Sequence, residues 1–390
     1  MLGDRTFSGL NLAVFLMMVG VGMIVALLPQ RLIAITGSGS SVGYLASAFA
    51  ISYIALQVPI GSLSDRIGFK AFIMAGYVVC FLTGMLYYAS GRAGLLFLGR
   101  LLQGAGEAPV WALAPALLSI RYPHSRGKVM GFYNATIHVG LSVGPIVGVL
   151  VAERWPGNQA FLLYALLCLA GAVVILLTVS GSHPVGGQDK AAMSLCSIRK
   201  LMANKQVLIA LLGITLYGAG YGIFLTVIPA FLITGKGFSS AGIGAFFALF
   251  YFAISLSQIA TGPLSDRMGR VVFMVVGLAV SFVGILAFPP LLQPWITLVL
   301  AVASLGLGVF YLASMAFLNE TVPDVLKGTI SGAYYLFWGI GMFLGPVLVS
   351  KVSEYDGSYG GFYLFAFALA AVAAAMLVNG RGNIRRSSHP

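Results

Sequence analysis

Residues 61–68 read GSLSDRIG, and residues 262–269 read GPLSDRMG. The two octapeptides stand 201 positions apart. The same displacement carries Gln57 onto Gln258, and Gly131, Gly140, Gly144 and Pro145 onto Gly332, Gly341, Gly345 and Pro346. Near the start, Gly20, Gly22 and Pro29 return as Gly220, Gly222 and Pro229 at a displacement of 200. Several independent motifs held in one register mark an internal duplication.

Composition says what kind of unit was duplicated. Of 390 residues, 59% are hydrophobic and 8% charged, whereas a soluble domain carries about 25% charged residues. A core of this chain length cannot hide that much apolar surface from water, so a soluble protein is excluded. A mean hydropathy of +0.98 and 50 glycines point to a polytopic helical membrane protein, because small residues let helices pack closely in lipid. The first apolar run, Phe7 to Leu28, is too long for a signal-peptide core and has no small-residue cleavage pattern, so it reads as a span.

A bilayer core takes about 20 residues of helix. Runs of that kind give twelve helices, near 8–34, 43–61, 71–90, 94–119, 129–152, 160–180, 207–233, 243–261, 271–288, 295–318, 329–351 and 360–379. The stretch 271–319 holds no charged side chain, and the three prolines of FPPLLQPW (288–295) divide it. The fold class is therefore all-α: two pseudo-symmetric six-helix bundles, residues 1–180 and 207–390, joined by a polar linker over 181–206.

The formal charge is +12. The basic residues lie a few at a time between apolar runs, so they set topology rather than bind nucleic acid. With both termini cytoplasmic, that side holds sixteen Lys and Arg, against five (Arg31, Arg92, Arg154, Lys236, Lys351) on the other, with Arg100 inside a span. This imbalance orients the protein in the cell membrane with both ends inside. The three cysteines show no metal or disulfide spacing.

The motifs themselves resemble those of the major facilitator superfamily. GSLSDRIGFK (61–70) is similar to that family's G-x-L-x-D-R-x-G-R-K signature, departing at Phe69, where the second copy has Arg270. The fifth run, GFYNATIHVGLSVGPIVG (131–148), resembles the antiporter motif of drug–proton exporters, with Val149 in place of its last glycine. GRLLQGAGEAP (99–109) is similar to the R-x-x-Q-G motif of the same branch. The resemblance implies a secondary transporter working by alternating access. Its gating loops would hold Gly61, Asp65, Arg66 and Gly68, and Gly262, Asp266, Arg267 and Gly269. Its antiporter helix would carry Gly131, Gly140, Gly144, Pro145 and Gly148.

A helix N-terminus favours a nearby anion. By the repeat, Asp65 is expected near Gly328–Gly332 and Asp266 near Gly127–Gly131. Gly140, Gly144 and Gly148 recur every four residues and line one helix face, while Pro145 removes a backbone hydrogen bond and bends the span.

Arg100 and Glu107 are seven residues apart in the fourth span and share a face with Gln103, Gly104 and Trp111. An ionisable group at mid-membrane costs at least about 2.5–3.5 kcal/mol unless paired or wetted, and it marks a functional site by default. Burial favours the neutral acid and a nearby guanidinium the carboxylate, so Glu107 is the expected proton-coupling group, with Arg100 tuning it. The alternative is a static ion pair. His138, with Asn134 one turn before it, is a second titratable candidate or else a packing histidine. Gln103, Trp111, Asn134, Tyr217, Tyr221, Tyr335 and Trp338 are the expected substrate-cavity residues, since aromatic faces attract organic cations.

These readings lead to proton-coupled export of a small amphipathic molecule by a monomer in the lipid bilayer. The proton gradient is the energy source, and no cofactor or metal is expected. The alternative is a proton-coupled symporter importing a nutrient or organic anion. A non-transporting membrane receptor or scaffold is more remote, since the chain has no soluble domain to signal through. No nucleotide loop, metal-ligand cluster or nucleophile–base spacing suggests an enzyme.

Overall fold

The structure, a computed structural model, describes residues 4–37, 42–155, 157–180, 204–355 and 359–384. Most of the expected linker, 181–206, lies outside these residues. The described helices are α1 (Arg5–Thr36), α2 (Val42–Ile67), α3 (Phe69–Ala89), α4 (Ala93–Arg121), α5 (Arg126–Arg154), α6 (Gln159–Thr178), α7 (Lys205–Leu225), α8 (Val227–Lys236), α9 (Ser240–Met268), α10 (Arg270–Ala287), α11 (Trp295–Thr321), α12 (Lys327–Tyr355) and α13 (Gly360–Ile384). A 3-10 turn over Asp324–Leu326 leads into α12.

Eleven segments among the described residues are long and apolar enough to cross a membrane, with α7 and α8 counting within one of them. The expected crossing missing from that set is α4. It is 29 residues long, but Arg100, Gln103 and Glu107 at its middle dilute its apolar character.

The seventh span is not the single helix that its apolar run suggests. It breaks at Thr226 (φ −130°, ψ −61°) into α7 and α8. Pro229 favours a break here, although Pro59, Pro109, Pro115, Pro145, Pro263 and Pro346 lie inside unbroken helices. Proline has no N–H, and its ring clashes with the carbonyl four residues earlier, here Leu225, the last residue of α7. The third position of α8 accepts it, because first-turn N–H groups have no intrahelical acceptor in any case. The Thr226 hydroxyl donates to the Gly222 carbonyl at 2.7 Å, a second bond to the acceptor that already takes the Thr226 N–H.

The duplicated octapeptides each end on a one-residue joint. Gly68, at φ +103°, links α2 to α3, and Gly269, at φ +92°, links α9 to α10. A Cβ is strained at such angles, so the last glycine of both copies is a backbone requirement.

The chain forms two compact units. One comprises Met1–Arg121, Tyr133–Gly187 and Pro323–Leu336; the other comprises Tyr122–Phe132, Gln188–Val322 and Phe337–Pro390. Each is thus one half of the repeat without the opening turns of its own α5 or α12, and with those of the corresponding helix of the other half. Within the units, α1, the α7–α8 span and α11 are largely enclosed, whereas α3, α6, α10 and α13 leave a wide face uncovered. Leu177, Val378, Phe252 and Ile51 stand exposed, as lipid-facing side chains do in a multi-pass membrane protein.

Candidate functional site

The polar stripe of α4 is a connected chain of hydrogen bonds inside the first unit. Arg100 donates through Nε to the Leu45 carbonyl at 3.1 Å and through Nη1 to Gln103 Oε1 at 3.0 Å. Gln103 Nε2 donates to Glu107 Oε1 at 2.8 Å, and Trp111 Nε1 donates to Glu107 Oε2 at 3.3 Å. Gln103 is wholly buried and Glu107 is 2% exposed. The static ion pair expected as the alternative therefore takes a different form, because the Gln103 amide stands between the guanidinium and the carboxylate.

Two further residues complete the stripe. Tyr87 on α3 donates its hydroxyl to Gln103 Oε1 at 3.1 Å. The Arg100 guanidinium lies 4.8 Å from the Phe49 ring centroid, a cation–π arrangement that lowers the cost of keeping the charge in an apolar setting. Arginine has only donors, so the amide oxygen of Gln103 must face it and the amide N–H groups must face Glu107.

Tyr335, near the start of α12, completes the aromatic edge of this site. It meets Trp111 at 6.1 Å and Tyr53 at 6.4 Å between ring centroids, both edge-on. Helical spacing points to Trp111 and the clustering of aromatics to Tyr335, but neither points to Tyr87, Phe49 or Tyr53. Phe49 and Tyr53 are one turn apart on α2 and stack at 5.4 Å, a spacing that a face-by-face reading of α2 could have registered.

His138 is 2% exposed, and its Nδ1 lies 2.8 Å from the Asn134 carbonyl oxygen, one turn back on α5. Asn134 is fully buried. The small-residue face of α5 is seated on α1: a Cβ on Gly140 would meet Met18, one on Gly144 would meet the backbone of Gly22, and one on Gly148 would meet Met23. In the second unit, Gly341 and Gly345 of α12 pack on Thr215 and Ala219 of α7 in the same way.

The aromatic candidates of the second unit form one cluster. Tyr221 lies 6.2 Å from Tyr217, 5.7 Å from Trp338 and 5.6 Å from Phe250, and Tyr217 lies 5.0 Å from Tyr311. Tyr217 and Tyr221 are almost fully buried.

The carboxylates of the duplicated octapeptides each meet a helix start. Gly328 N and Thr329 N donate to Asp65 at 2.8 Å each, and the Thr329 hydroxyl adds a third bond at 2.6 Å. Gly127 N and Lys128 N donate to Asp266 at 3.0 Å each. These are the helix starts to which the repeat pointed. Backbone meets backbone beside them: a Cβ on Gly262 would fall 2.5 Å from the Gly127 carbonyl oxygen, and one on Gly61 would fall 2.4 Å from the Gly328 carbonyl oxygen. Arg66 and Arg267 are exposed and take no part in these bonds.

The two contacts differ behind the carboxylate. Arg270 is 8% exposed; it pairs with Asp266, reaches Glu320 of α11 at 2.8 Å and donates to Ser265 Oγ at 2.6 Å. In the first copy the equivalent positions hold Phe69, Ser119 and Ser64. Among the described residues, no Lys, Arg or His nitrogen lies within 4 Å of Asp65. Lys327, next to Gly328, pairs instead with Asp324 at 2.6 Å.

The chain is thus a duplicated, all-α multi-pass membrane protein with a carboxylate anchored at a helix start in each copy. The chain matches the Major Facilitator Superfamily over residues 10–346 and again over 210–388, and it belongs to that family. It is 24% identical over 364 residues to multidrug resistance protein 2 of Bacillus subtilis, spanning 90% of this chain and 89% of that one. It is 26% identical over 371 residues to the hexuronate transporter of the same organism, spanning 88% and 86%. Its fold is similar to that of the Major Facilitator Superfamily transporter FucP in the outward conformation, with a TM-score of 0.82 at 16% identity over 95% of this chain and 98% of that one.

Proposed function

We propose that this transporter exports a small amphipathic molecule from the cytoplasm in exchange for protons, with Glu107 as the group that takes up and releases the proton. The observation that carries this reading is an enclosed carboxyl on α4 whose two oxygens both face donors, Gln103 and Trp111. An ionisable side chain is expensive within a bilayer and is retained where function needs it. The multidrug resistance protein among its relatives supports the outward direction.

In the proposed cycle, the Asp65 and Asp266 contacts act as latches that hold the starts of α12 and α5 and release as access alternates. Gly140, Gly144 and Gly148 keep α5 against α1 throughout. His138 with Asn134 would serve as a secondary proton or substrate contact, and Tyr217, Tyr221, Tyr335 and Trp338 as aromatic substrate contacts. The loop-charge imbalance supports both termini lying in the cytoplasm, and the protein needs no bound cofactor in this scheme.

The hexuronate transporter and the Arg100 guanidinium favour a second reading, proton-coupled import of an organic anion. Reconstituted vesicles with an imposed pH gradient separate the two. Gradient-driven movement of lipophilic cations against the proton flux supports export. Movement of organic acids along with protons supports import, and movement of either class that ignores the gradient removes the coupling claim.

A further inference from the structure

The two partners of Glu107 are held very differently. Gln103 is wholly buried, and its amide oxygen accepts from both Arg100 and Tyr87. Turning that amide over would aim its N–H groups at a guanidinium that has no acceptor to offer, so its orientation is locked from behind. Trp111 has no such lock. Its ring is partly exposed, and the ring neighbour that the structure gives it is Tyr335, edge-on at 6.1 Å.

An indole N–H donates and cannot accept. While Glu107 is a carboxylate, Oε1 accepts from Gln103 and Oε2 accepts from Trp111. A proton arriving on Oε2 removes the negative charge from the acceptor and places an O–H beside the indole N–H, so the contact weakens and is free to open. Oε1 is the worse place for the proton, since Gln103 cannot turn to receive it. The softer partner therefore moves, and that partner touches Tyr335 on α12. Tyr335 lies two turns beyond Gly328, whose N–H is the first of the α12 donors to Asp65.

We propose that Trp111 is a positioning residue that converts protonation of Glu107 into displacement of Tyr335, and so of the opening turns of α12. The proton stays on the carboxyl; Trp111 transmits its presence by losing one hydrogen bond and shifting its ring. This rests on the reading of Glu107 as the proton-coupling group. The other charged or titratable groups that reach Glu107 are Arg100 on α4, Tyr87 on α3, and Tyr164 and Cys168 on α6.

The test is fluorine NMR on the full chain in nanodiscs, labelled with 5-fluorotryptophan. There are four tryptophans, and Trp111→Phe assigns the signal of Trp111. In the wild-type protein that signal should move with pH between two limiting positions. In Glu107→Gln, which cannot titrate at this site, it should stay fixed. Trp111→Phe, which keeps a ring against Tyr335 but has no N–H, should cut gradient-driven accumulation about tenfold, the loss expected for one hydrogen bond to a charged group.

A Trp111 signal that ignores pH in the wild type, or that titrates equally in Glu107→Gln, overturns the proposal. Gradient-driven transport measured on the same Glu107→Gln protein keeps the two claims apart. If transport still depends on Glu107 while the indole signal is silent, the inference about Trp111 falls alone. If transport is indifferent to Glu107, the proton-coupling reading falls with it.

Discussion

Glu107 is bonded to Gln103 at 2.8 Å, and the amide that donates this bond is itself oriented by Arg100. A neutral side chain thus relays a positive charge to a buried carboxyl without touching it ionically. Replacing Gln103 by Leu leaves Arg100, Tyr87 and Glu107 each short of one partner. Unmet buried polar groups cost about 1–3 kcal/mol each. Gln103→Leu should therefore lower the unfolding temperature in detergent clearly below that of an exposed α4 control such as Leu98→Ala.

The Asp65 and Asp266 contacts should not be equally firm. Arg270, tied to Glu320 and Ser265, holds Asp266 in place before the α5 start arrives, whereas Asp65 has no such cationic brace among the described residues. A preorganised partner loses less freedom on binding. Amide hydrogen exchange should show Gly328 and Thr329 about tenfold less protected than Gly127 and Lys128. Arg270→Gln should erase the difference by exposing the latter pair. Equal protection in the wild type would contradict this asymmetry.

Packing of α5 on α1 should tolerate bulk unevenly. A Cβ at Gly144 would stand 2.4 Å from the Val19 carbonyl oxygen and 2.6 Å from the Gly22 Cα, whereas one at Gly148 would come no closer than 3.2 Å to Met23. The first overlap is with backbone at distances that real Cβ atoms do not adopt; the second, with Met23 Cα, Cβ and Cγ, needs a shift of only a few tenths of an ångström. Gly144→Val should cost about 1–3 kcal/mol or more through overpacking, seen as loss of monodisperse protein on size exclusion. Gly148→Ala should purify and unfold much as the parent does.

The register of the repeat was legible because glycines, prolines and aspartates punctuate it at fixed positions. It led from Asp65 to the start of α12 without any knowledge of packing. The α4 stripe was legible for a similar reason: residues three, four and seven apart share a helix face whatever surrounds the helix. Tyr87, Phe49 and Tyr53 were not, because their approach depends on how α2 and α3 settle on α4, which no local spacing records. Nor was the kind of link between Arg100 and Glu107, since only the rotamer of Gln103 decides between an ion pair and a relay. The break at Thr226 is favoured by Pro229, although in the repeat that proline stands out only as the mate of Pro29.

The aromatic cluster of the second unit gives a prediction about substrate. If Tyr221 and Trp338, 5.7 Å apart, contact a cationic substrate, Tyr221→Ala should weaken its apparent affinity by about 0.5–2 kcal/mol. Tyr221→Phe should retain most of it. Binding measured by scintillation proximity on purified protein would show the contrast; equal losses in both variants would point to the hydroxyl rather than the ring.

The central claim is that Glu107 carries the proton, and one comparison tests it most directly. Wild-type and Glu107→Gln proteins are reconstituted in vesicles, and each is assayed for substrate exchange at equilibrium and for accumulation driven by a pH gradient. The proton-coupling reading predicts that Glu107→Gln still exchanges substrate but no longer accumulates it. Undiminished gradient-driven accumulation by Glu107→Gln would contradict it.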